Sequence, residues 1–280
     1  MNSHGLNNTT MSRSIESIKL KRYYDRTSRR LKSRGLLRTD LGETDSHYTS
    51  KNLIKNFEKI ALYKEYIIKN GKFISEETES KIKRWETAIK INVIHGKTNS
   101  INQIKIDKKN ISNFSHRLSN LTGLSIEGNK SESNFIILFL DLDEQRNFGE
   151  KLKELMPQLT SAMIEAITSS PRTTFCSVFA LSRPSNAYEY TAAIILIKSE
   201  HSRLMRKSCI HEEMAQSLGL SNDSKIARPS IFNDDEEFAF LTTHDENLLK
   251  ILYDNRLKPG MNHKDALPIV TKIAKELMNF

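Results

Sequence analysis

The stretch that most constrains the fold is Cys209–Asp223, CIHEEMAQSLGLSND, because it encodes a helix, its stop and a polar face together. Ile210, Met214 and Leu218 recur every four positions and make one apolar stripe. Glu212 and Gln216 are also four apart, so they project side by side from another face. Gly219 ends the helix, since glycine takes the positive φ of a helix C-terminus without steric cost. The chain then turns and brings Asn222 and Asp223 back toward the Glu212/Gln216 face. A helix builds a metal or water site in this way. Glu212, Gln216, Asn222 and Asp223 are the candidate metal ligands.

The donor types set what such a site can hold. Three neutral imidazoles suit tetrahedral zinc. A carboxylate and two amides suit a harder, oxygen-preferring divalent ion or none, which argues against zinc. Without a metal, a lone carboxylate supplies only ~10²–10⁴-fold as a general base.

Charge is unevenly placed. Residues 1–40 hold ten Lys/Arg against three Asp/Glu, a balance of +7, while the other 240 carry 33 against 31, only +2. The body is nearly neutral, which argues against nucleic acid as its partner. The longest apolar runs, Phe135–Leu140 and Ala192–Ile197, are strand length, so no membrane-spanning helix is expected. The opening MNSHGLNNTTMSRS shows no apolar signal-peptide core. Taken as complete, that start implies a cytoplasmic chain. Cys176 and Cys209 are the only cysteines; they fit one disulfide in an oxidising compartment or two buried thiols in a reducing one.

In order, residues 1–13 read as disordered and 14–80 as a basic, helical N-terminal region. Ser14–Arg34 is a cationic helix, read as solvated and lightly packed rather than as a lipid or nucleic-acid anchor. A second helix runs Lys51–Tyr66, capped by Thr49 or Ser50. Residues 81–280 form the main α+β domain. Strands are expected at Trp85–Ile94, Leu124–Glu127, Asn134–Leu142, Thr173–Leu181 and Tyr190–Lys198. Helices are expected at Ile106–Leu121, in 147–168 with a break near Pro157, from the N-cap Ser202, in Leu241–Asp254 and over His263–Met278.

Other polar groups read as structural. His211 is a helix-surface or supporting residue, and His201, His244 and His263 line surfaces or caps, since no two share a metal-ligand spacing. Asp245 is a helix N-terminal charge. Asp234–Glu237 is a solvated acidic loop without the spacing of a calcium loop. Phe232 packs in the core under the site.

The spacing Glu212-Glu-x-x-Gln216-x-x-Gly219-x-x-Asn222 resembles the zinc-protease signature of the metzincins, with Glu212, Gln216 and Asn222 at the histidine positions and Glu213 at the base. Pro229-Ser-Ile-Phe-Asn is similar to the turn that family places beneath its metal, with Phe232 for methionine. Leu241–Tyr253 is similar to its closing helix. GLLRTD (35–40), NFEKIALYKEY (56–66), SCIHEEMAQSLGLSND (208–223), RPSIFNDDEEFAFLTTHDENLLKILYD (228–254) and LKPGM (257–261) together resemble a family of proteobacterial proteins of unknown function, often labelled putative lipoproteins.

These resemblances imply a metzincin-like α+β fold with a mixed, mainly parallel sheet, and a periplasmic or membrane-anchored place in the cell. With the ligand positions degenerate, they imply a non-catalytic, envelope-associated binding or scaffold protein with a peptide or protein partner. The alternative is a metal-dependent peptide hydrolase using Glu213.

Overall fold

Phe135–Leu140 is apolar without interruption and all six residues are buried, as befits a central strand covered on both faces. The computed structural model describes residues 12–69, 72–129, 131–233 and 235–278. In chain order the elements are α1 (Ile15–Ser33), α2 (Ser50–Ala61), β1 (Tyr63–Lys69), β2 (Lys72–Glu79), β3 (Arg84–Trp85), β4 (Ile89–His95), α3 (Ile101–Thr122) and β5 (Ile126–Gly128). They continue with β6 (Phe135–Leu140), α4 (Leu142–Arg146), α5 (Gly149–Leu155), α6 (Ser161–Thr168), β7 (Cys176–Arg183) and β8 (Asn186–Lys198). The chain closes with α7 (Arg203–Gln216), α8 (Thr243–Leu252) and α9 (His263–Met278).

The main sheet is ordered β3-β8-β6-β4-β5 with every pair parallel, and β7 runs antiparallel along β8. The mixed, mainly parallel α+β architecture expected from the sequence is therefore present. β6 divides its side chains by the period of two. Phe135, Ile137 and Phe139 face one core with Ile210 and Met214 of α7 and Leu248 of α8; Ile136, Leu138 and Leu140 face the other with Leu152 and Ile167. No helix among the described residues is long and apolar enough to cross a membrane.

Helix starts follow their caps. Ser14, Ser100, Ser202 and Thr242 each accept a backbone N–H at the first turn of α1, α3, α7 and α8. Thr49 and Asn52 form a reciprocal capping box on α2. Thr49→Ala is expected to cost about 1 kcal/mol, read as a lower urea midpoint at unchanged slope; no shift in midpoint would mean that packing alone sets the start of α2.

Three expectations change. The second helix stops at Ala61, and 63–79 fold as the antiparallel hairpin β1–β2. The Tyr-Lys-Glu-Tyr-Ile-Ile run has strand propensity, which wins once Leu62 closes the helix. The strand expected at Trp85–Ile94 is two: β3 pairs with β8, and β4 pairs with β5 and β6. α1 is not loosely held, because Leu20, Tyr24 and Leu31 are buried and Ser17 Oγ donates to Glu200 Oε1 at 2.7 Å. Of residues 1–13, read as disordered, 1–11 lie outside the described residues, and Arg13 donates to Ser199 O at 2.8 Å. Across the boundary expected at residue 80, Leu53, Phe57 and Ile60 of α2 join the same core cluster as α7, α8 and α9.

Candidate functional site

α7 carries the predicted helix and buries its stripe, with Ile210, Met214 and Leu218 at most 2 % exposed. Gly219 takes φ +122°, and a Cβ there would stand 2.1 Å from Lys83 O. The glycine is thus required by the close pass of the chain leading into β3, not by the turn alone. Trp85 Nε1 donates to Ser217 O at 2.9 Å and fastens the same junction. A disulfide joins Cys176, at the start of β7, to Cys209 in α7.

This tether draws the edge strand over the acidic turn of the helix. Carboxylate oxygens of Glu212 and Glu213 and Cys176 Sγ lie within 4.8 Å of one another. As half of a disulfide, that sulfur offers no thiolate. Glu213 is buried and its Oε2 has no hydrogen-bond partner among the described residues; Glu212 is half-buried. Burial pushes the Glu213 carboxyl well above the usual range, and the charges of Asp223 and Glu65 push it further. Glu212 is raised by burial first, then by Glu213, Glu236, Asp223 and Glu65. Both acids therefore hold protons at pH values where exposed carboxyls have released them.

The sequence-predicted residues separate here. The charge of Asp223 acts on both acids of the pair. Asn222 does not join it: its Nδ2 donates to Lys59 O at 3.0 Å and Glu77 Oε2 at 3.1 Å, tying the turn to α2 and β2. Gln216 is half-buried at the last turn of α7. Glu65, on β1, enters the acidic group from a segment read as helix in the sequence. A hairpin signal was there, in the Asn70–Gly71 pair between strand-forming runs, although that pair lies outside the described residues. Glu65 and Asp223 also line a cleft of about 660 Å³ with Lys55, Lys59, Glu77 and Asn222.

His201, His211 and His244 are buried structural groups, so a surface placement does not hold for them, while His263 is half-buried. His211 Nδ1 accepts from Leu241 N–H, the ring stacks on Phe114 at 4.0 Å, and burial holds its pKa down to about 3. His201 donates to Phe175 O beside Tyr24, also lowered by burial to about 3. His244 lies buried between Asn56 and Asp245, and His263 meets Glu58 at 2.8 Å. Asp245 caps α8 as expected, and it also accepts from Ser230 Oγ, Ile231 N–H and Thr242. It thereby sets the turn that holds Phe232, fully buried in the same core cluster as Ile210 and Met214. Of the acidic loop, Glu237 is paired with Arg228 and Arg38, while Asp234 lies outside the described residues.

These residues do not fit zinc. No imidazole reaches the pair among the described residues, the Asn222 Nδ2 is held by Lys59 O and Glu77, and the oxygen donors at hand are carboxyls. The set belongs to the chemistry of hard cations or of shared protons.

A mainly parallel α+β sheet with an antiparallel edge strand, bound by a disulfide to a helix bearing buried paired acids, is the class of protein that fold and site define. A family model described as a protein of unknown function (DUF2927) matches residues 50–272, from α2 into α9, and the chain belongs to that family. No curated protein and no solved structure matches it.

Proposed function

We propose that this protein is a non-catalytic, envelope-associated binding or scaffold protein that holds an extended peptide beside α7. One observation carries the reading: the Asn222 amide nitrogen is spent on Lys59 and Glu77, which turns that side chain toward α2 and β2, so the motif keeps a buried acid pair and not three converging ligands. The peptide follows from β7. It pairs only with β8 among the described residues, and its sequence Cys-Ser-Val-Phe-Ala-Leu-Ser carries no charge or proline before Arg183. Such an edge offers backbone groups to an added strand. The disulfide supports an oxidising compartment and hence the envelope.

The second reading, a divalent-metal-dependent peptide hydrolase, is favoured by Glu213 Oε2, buried without a hydrogen-bond partner beside Glu212. A carboxyl with its proton affinity raised above the ordinary range is a stronger general base.

One experiment separates them. A mixed peptide library is incubated with wild type and Glu213→Gln, with and without Ca²⁺, Mn²⁺ or Zn²⁺, and cleavage and retention are both read by mass spectrometry. The binding reading expects retained peptides, no cleavage, and loss of retention when peptide backbone nitrogens are methylated. Metal-dependent cleavage that disappears in Glu213→Gln establishes the hydrolase instead.

A further inference from the structure

α1 and the ends of two central strands enclose a second cleft, on a different part of the molecule and of different chemistry. It measures about 750 Å³ and its cations are Lys19, Arg22, Arg26, Arg146, Arg172 and Lys198. The one carboxylate in its lining is Glu16, and both its oxygens are occupied by Arg146 at 2.7 Å. Lys19, Arg22, Arg26 and Arg172 form no ion pair among the described residues, although the body of the chain is almost neutral.

The cleft is built and not a chance gathering of surface charge. Lys19, Arg22 and Arg26 are spaced three and four apart and share one face of α1. That face is fixed by Ser17 on Glu200 and by buried Leu20 and Tyr24. Opposite, Lys198 is 1 % exposed and donates to Ser170 O and Pro171 O at 3.3 and 2.7 Å, which holds the loop presenting Arg172. Arg172 lies 4.8 Å over the Tyr23 ring, so its guanidinium is also oriented.

Its place in the fold points the same way. Lys198 ends β8, and Leu142 follows β6 by two residues; these strands are adjacent and parallel. Crevices outside the carboxyl ends of such strands are where open α/β sheets bind ligands. The volume suits a small ligand and is too small for a nucleic-acid duplex. Four of the six cations are arginine, whose planar fork matches phosphate oxygens in pairs.

We infer that this cleft binds a phosphate-bearing anion of multiple charge, gripped between the α1 face and Arg172. The phosphate could be carried by a soluble molecule or by the headgroup of an anionic lipid. Ile15, 75 % exposed on the same face of α1, is placed to enter a bilayer if the source is lipid.

The test uses the full chain and inorganic pyrophosphate, followed by titration calorimetry at physiological salt. Wild type is expected to bind saturably, and Arg22→Glu/Arg172→Glu to weaken binding about tenfold or more, both residues being exposed so that folding is spared. Lys108→Glu/Lys109→Glu, an equal charge change on exposed positions of α3, is expected to leave it within about twofold. Sedimentation with phosphatidylcholine vesicles, with and without phosphatidic acid, identifies the source. Lipid-dependent pelleting lost in Ile15→Ser assigns the headgroup, and pyrophosphate binding without pelleting assigns a soluble ligand; either supports the site. Absence of both, equal weakening by the α3 control, or affinity that climbs with oligothymidine length overturns it.

Discussion

Asp107→Ala is expected to destabilise the protein by about 3–5 kcal/mol, because it leaves a buried guanidinium without its counter-charge. Arg206 is 2 % exposed and Asp107 fully buried. Arg206 Nε donates to Asp107 Oδ1 at 3.2 Å, its second amino nitrogen binds both Oδ2 and Asn99 Oδ1, and its first binds Ser199 O. His95 and Gln103 fill the remaining positions around the carboxylate. Burial pushes the Asp107 pKa up, but the hydrogen bonds from His95 and Arg206 outweigh it and hold the group below the usual range. Its contribution is therefore present above the unfolded carboxyl pKa and is lost as pH falls. Urea unfolding followed by Trp85, the single tryptophan, measures the loss. The double change Asp107→Leu/Arg206→Met is expected to recover much of it, since apolar replacement removes both charges from the interior. A single variant within about 1 kcal/mol of wild type would mean that water solvates Arg206 and that α3 and α7 are held by apolar contact.

The acid pair on α7 predicts the opposite slope. Glu212 and Glu213 have folded-state pKa values above their unfolded values, so between about pH 4.5 and the folded values the folded chain keeps protons that the unfolded chain gives up. Stability is then greatest on the acidic side and declines as pH rises. Each tenfold change in proton affinity is worth about 1.4 kcal/mol, and the decline is read between about pH 5 and pH 8. Glu144 and Glu200 are raised by burial too and act in the same direction, so the variant difference isolates the pair. Glu213→Gln is expected to flatten the slope and to exceed wild type by about 1–3 kcal/mol near pH 8, because an amide has no proton to lose. Identical slopes for wild type and variant would show that Glu213 is ionised and satisfied throughout.

Much of the architecture could be read along the chain. The apolar runs at 135–140 and 192–197 announced strands, and the caps at Thr49 and Ser202 announced helix starts. Each is a local signal, set by a residue and its neighbours within a turn or two. The hairpin at 63–79 was obscured because helical spacing in 53–64 continues past the stop at Ala61. Asn222 was misjudged for a different reason: its partners Lys59 and Glu77 come from α2 and β2, some 150 residues away in the chain.

The chain alone determined that residues 209–223 would be a helix, a glycine turn and a polar return, because periodicity and φ preference act over a few neighbouring residues. Only the tertiary structure decided which of those polar groups meet. Folding brought the charges of Glu65 and Asp223 to act on Glu213, turned the Asn222 amide toward β2, tied Cys176 across the helix and set Arg206 on Asp107. The reason is physical: a side chain's partner and protonation state follow from what is packed within a few ångströms, and residues far apart in sequence supply most of that shell.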